Sequence, residues 1–156
     1  MGINQQELKS ILTQAVSETI ENMAFMMVSN EAENPETMQS DECVKTSLLI
    51  LEPYPGELGL IMSKKLLSKI AVALYGLGQD EITENMLIDV ISELLNTITG
   101  SLMTKILPDN FEYKLGLPES GDQILLETSS ELEQFTFFIE DQPFTIAACL
   151  EAFYQK

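Results

Sequence analysis

The sequence predicts an α+β protein in which two long helices pack on an antiparallel sheet. Three observations carry this expectation. Two segments, 5–28 and 84–106, repeat apolar residues with helical spacing. The strand-like pieces between and after them are joined by short turns, which favours antiparallel neighbours. And 156 residues, 45 % of them hydrophobic, suffice for one domain with a real core, so the whole chain, 1–156, is read as a single domain.

Taken in order, Asn4 followed by Glu7 forms a capping pattern, and Leu8, Ile11, Leu12, Ala15, Val16, Ile20, Met23 and Met27 continue it as an apolar stripe over 5–28. The acidic stretch 30–42, with Pro35, reads as a loop. Residues 43–52 and 57–62 read as two strands around the turn Pro53-Tyr54-Pro55-Gly56. Ser63 caps a helix over 64–75, and Gly76 stops it. Thr83 opens the second long helix, which ends before Pro108. Strands are expected near 110–117, 123–128, 134–140 and 144–151, with turns at 118–121, 129–130 and 141–143. A long helix followed by strands occurs twice, which hints at an internal duplication. Cys43 and Cys149 lie in apolar strand-like stretches and are expected to be buried thiols.

Composition excludes much chemistry. The formal net charge is −17, from 25 acidic and 8 basic residues, so nucleic acid phosphates and anionic membranes are repelled. No apolar run approaches membrane-spanning length. The start of the chain has no basic region followed by an apolar one, so a cytoplasmic location is expected. With no His, there is no Ser-His-Asp or Cys-His nucleophile and no imidazole metal site; no metal site of its own is expected. All eight basic residues are Lys, which leaves no guanidinium fork to clamp a phosphate. A phosphoryl group handled by this protein must find its cations on another molecule.

The informative segment is 87–105. At about 100° per residue, Ile91, Leu95, Ile98 and Leu102, joined by Leu87 and Ile88, share one apolar arc. Asp89, Glu93, Asn96, Gly100 and Thr104 share the opposite one. Glu93 and Asn96, three apart, point to one side of the helix. Gly100 costs about 1 kcal/mol relative to alanine and needs a reason, of which close approach of another backbone is the usual one. A polar arc of this kind is also what any solvated helix face carries, and Glu-x-x-Asn occurs again at 31–34, in the acidic loop, as coincidence.

The surroundings of the first copy are more specific. The strand and cap Leu58-Gly59-Leu60-Ile61-Met62-Ser63, the helix 64–75 closed by Gly76, the spacing Asp89-x-x-x-Glu93-x-x-Asn96-x-x-x-Gly100 and Pro118 together resemble the CheX/CheC-like chemotaxis phosphatases. The resemblance implies catalytic roles for Glu93 and Asn96 and substrate-binding roles for Asp89 and Gly100. The implied partner is a phosphorylated CheY-type receiver that brings its own Mg2+ and lysine, with no cofactor on this chain. Two-site relatives repeat the motif on the first helix. Here that stretch reads Ser17-x-x-x-Glu21-x-x-Ala24, which implies one site, as in the CheX-like branch. Single-site members pair through sheet edges, so a homodimer is a further expectation. The rival readings are a non-catalytic receiver-binding or flagellar-switch adaptor of the same fold, and an acidic interaction domain unrelated to receivers.

Overall fold

The computed structural model describes residues 3–36, 42–120 and 132–154. Helix α1 spans Gln5–Ala24, and the Asn4 side chain accepts from the Glu7 N–H at 2.8 Å while its amide donates to the Glu7 carboxylate at 3.0 Å. The helix ends four residues short of the expected 5–28, and three before the last residue of its apolar stripe, Met27. Phe25 turns left-handed, with φ 58°, and its N–H closes on the Glu21 carbonyl. Met23, in the last turn, and Met26, beyond the helix end, both pack on the core, while Phe25 and Met27 are exposed.

Strands β1 (Cys43–Glu52) and β2 (Gly56–Ser63) form a hairpin in the register Leu48↔Leu58 and Thr46↔Leu60. Helix α2 (Lys64–Tyr75) starts on the Ser63 hydroxyl, which accepts from the Leu66 N–H at 3.1 Å, and stops at left-handed Gly76. Helix α3 (Glu84–Ile106) starts on Thr83, whose hydroxyl accepts from the Met86 N–H.

The segment expected as a strand over 110–117 differs. Asn110 takes a positive φ of 68° and the Phe111 N–H bonds the Pro108 carbonyl, so a turn replaces its first half. Of the expected strand only β3 (Lys114–Leu115) remains, while β4 (Glu119–Ser120) falls where the turn at 118–121 was expected; both pair with β1. The strand expected near 123–128 and the turn at 129–130 lie outside the described residues. Strands β5 (Glu133–Ile139) and β6 (Gln142–Cys149) are joined through Glu140 and Asp141, both with positive φ, as a tight two-residue hairpin requires. The turn therefore falls one residue earlier than the proline suggested, and Gln142 and Pro143 belong to β6.

The antiparallel sheet runs β3-β1-β2-β6-β5, with β4 also on β1. Hairpins β1–β2 and β5–β6 meet at the antiparallel β2–β6 pair, an arrangement that suits the suspected duplication. One face, carrying Leu48, Ile50, Leu58, Leu60, Met62, Phe137, Phe144 and Ile146, is covered by the helices. The layer holds three helices, since α2 packs beside the two long ones. By length and hydropathy alone α3 could cross a membrane, but half of its apolar window is buried inside the protein, against α1, α2 and the sheet. The cysteines are half-buried rather than buried.

Candidate functional site

The site is one face of α3. Leu87, Val90, Ile91, Leu94, Leu95, Ile98, Thr99, Leu102 and Met103 are buried, and they anchor the helix along most of its length. The only buried hydroxyl among them, Thr99, is satisfied by the Leu95 carbonyl at 2.7 Å. Because the inner face is fixed, the orientation of the outer one is fixed too. Asp89, Glu93, Asn96 and Thr104 are exposed on it and Gly100 is half-exposed, as the helical spacing predicts. Ile88 departs from expectation. It shares a side with Leu95 and Thr99 but sits near the helix start, where cover is incomplete, and is 40 % exposed.

Glu93 and Asn96 lie one turn apart on this face. The Thr97 hydroxyl donates to the Glu93 carboxylate at 3.3 Å, a contact along the same helix that leaves the second carboxylate oxygen to solvent. The Asn96 carboxamide is exposed and offers both donor and acceptor. Lys105, on the same helix, is turned away and held by Glu18 of α1 at 3.0 Å. The site face therefore presents carboxylates and an amide, a surface that suits a cationic partner. Among the described residues, no three His, Cys, Asp or Glu side chains gather as metal ligands.

Gly100 meets a side chain where a backbone was expected. A Cβ at this position would lie 3.5 Å from the Tyr113 hydroxyl. The approach of Tyr113 to this face was not legible in the sequence, because its placement depends on the turn at 108–111. The second Glu-x-x-Asn, at 31–34, lies outside any helix. On α1, Glu21 is exposed but Ala24 is 3 % exposed, so an amide there would point into the core.

No curated protein matches this sequence. Solved structures share the fold. Chemotaxis protein CheX from Vibrio vulnificus superimposes with a TM-score of 0.73 at 13 % identity, covering 95 % of this chain and 99 % of that one. CheX in the CheX–CheY–BeF3–Mg2+ complex from Borrelia burgdorferi gives 0.66 at 15 % identity, covering 91 % and 96 %. Thermotoga maritima FliY gives 0.65 at 15 % identity, covering 97 % and 93 %. At these identities the likeness is one of fold. The family model described as chemotaxis phosphatase CheX matches residues 50–140, more than half of the chain and the whole of α3. With that match, the chain belongs to the CheX family of chemotaxis phosphatases.

Proposed function

We propose that residues 1–156 form one CheX-like domain that removes the phosphoryl group from the aspartate of a phosphorylated CheY-type receiver. The observation that carries this reading is the exposed Glu93–Asn96 pair on a helix whose other face is locked into the core. The Borrelia complex, which joins a CheX to CheY with Mg2+, supports the choice of partner.

A receiver aspartyl phosphate is an acyl phosphate with a good leaving group. The receiver's Mg2+ and lysine neutralise charge on it, so the missing element is a positioned water. The Asn96 carboxamide holds that water in line with the P–O bond to be broken. Water attacks phosphorus, the aspartyl oxygen leaves as carboxylate, and inorganic phosphate departs with the water's oxygen. Glu93 pairs with the receiver's lysine and fixes the docking geometry. Asp89, one turn earlier, extends the acidic docking surface, and Gly100 lets the receiver approach. The division explains how a chain without His or Arg handles phosphate. A homodimer through a sheet edge belongs to the same proposal.

The second reading, a receiver-binding or flagellar-switch adaptor, is supported by the fold shared with FliY. Loss of label from a phosphorylated receiver, with and without this protein, separates the two. A phosphatase accelerates the loss, whereas an adaptor binds the receiver and leaves its lifetime unchanged.

A further inference from the structure

Beyond the Glu93–Asn96 pair, the same face of α3 carries a notch. A mid-helix glycine such as Gly100 is unfavourable relative to alanine. Yet the nearest atom to a Cβ built there is the Tyr113 hydroxyl at 3.5 Å, an ordinary van der Waals separation. Alanine would fit, so internal packing does not demand glycine at this position. The room it leaves opens outward, towards whatever docks on α3.

Tyr113 forms one wall of that room. The left-handed Asn110 and the bond from the Phe111 N–H to the Pro108 carbonyl at 3.1 Å turn the chain back after α3, and the Tyr113 ring comes to lie beside the helix. The ring is 39 % exposed, and neighbouring Phe111 is 45 % exposed. A phenolic hydroxyl both donates and accepts, so it suits a main-chain group that comes close enough to touch a bare helix backbone. Gly100 lies one turn beyond Asn96 on the same face, so a contact made here sets the register of α3 against the partner.

We infer that Tyr113 and Gly100 form a docking notch in which the Tyr113 hydroxyl hydrogen-bonds main chain of the receiver. This rests on the receiver reading above and adds a positioning residue to it. Tyr113 does not touch the reacting atoms, and its contribution is to binding.

The test is steady-state dephosphorylation of the receiver together with thermal melting of each variant. Tyr113→Phe removes only the hydroxyl and raises KM roughly fivefold, the equivalent of one interfacial hydrogen bond, with a much smaller change in kcat. Gly100→Ala raises KM at least as much while Tm stays level or rises, because the helix itself gains. Tyr75→Phe, at the far end of α2, is the control. A Tyr113→Phe protein with parental KM overturns the inference while leaving the phosphatase reading intact. So does a Gly100→Ala protein with lowered Tm and parental KM, since glycine would then serve packing alone. A parent protein that neither binds nor dephosphorylates the receiver overturns both readings together.

Discussion

Asn96 and Glu93 sit one turn apart yet are assigned different work, and that difference can be measured. Glu93→Gln keeps size and hydrogen bonding but removes the charge proposed to meet the receiver's lysine. Losing such a contact at a desolvated interface costs about 2–5 kcal/mol, so binding to a receiver carrying a stable phosphate mimic weakens at every ionic strength. Asn96→Ala binds that mimic nearly as well as the parent, because water held in the transition state adds little to ground-state affinity. Titrating the three proteins in parallel checks this, and equal affinities would refute the division. Glu21→Gln leaves activity within about twofold, the surface-substitution scale, since Ala24 lies buried at the end of α1. At this scale much was legible beforehand: the outward arc of Asp89, Glu93, Asn96 and Gly100 follows from helical spacing alone. Tyr113 was not, because a side chain delivered by a turn carries no periodic signal.

The helix α3 turns those residues into a site, and its stability is separable from their chemistry. Ile98 is fully buried opposite them. Ile98→Ala opens a cavity and costs roughly 2–5 kcal/mol of stability, read by denaturant unfolding. Thr83→Ala removes the hydroxyl that caps the Met86 N–H and costs about 1 kcal/mol. Neither variant, while folded, loses the accelerated dephosphorylation that Asn96→Ala loses. Elements with strong punctuation were readable residue by residue: β1 between loop and turn, α2 between Ser63 and Gly76, α3 between Thr83 and Pro108. Those whose ends depend on backbone conformation were not. Phe25 stops α1 by turning left-handed, although the apolar stripe runs on through Met27, and Asn110 turns the chain where apolar residues suggested a strand.

Across the whole molecule, an excess of 17 negative charges meets a sheet that holds some carboxylates against their preference. Burial, and then repulsion from Glu119, pushes the Glu57 carboxyl above its ordinary 4.5. Burial does the same to Glu133, which accepts from the Tyr154 hydroxyl. Folding thus favours the protonated form of both groups. Their stabilising contribution is complete below the ordinary value and is lost as pH rises through the raised ones. Glu57→Gln, a mimic of the protonated form, therefore raises Tm near neutral pH, and melting curves of the two proteins converge once the pH falls below about 4.5. The α+β class and the helix-on-sheet layering were readable from the two long periodic segments and the short turns. The strand order was not, because the β2–β6 pairing joins residues far apart in the chain. The central claim is that a receiver supplies the phosphoryl group and its cations while Asn96 supplies the water. Its most direct test follows the phosphorylated receiver in single turnover with the parent protein and with Asn96→Ala, both at concentrations that saturate binding. The account predicts rapid loss of phosphate with the parent and the receiver's own slow rate with Asn96→Ala. A folded, receiver-bound Asn96→Ala protein that still releases phosphate at the parental rate would contradict it.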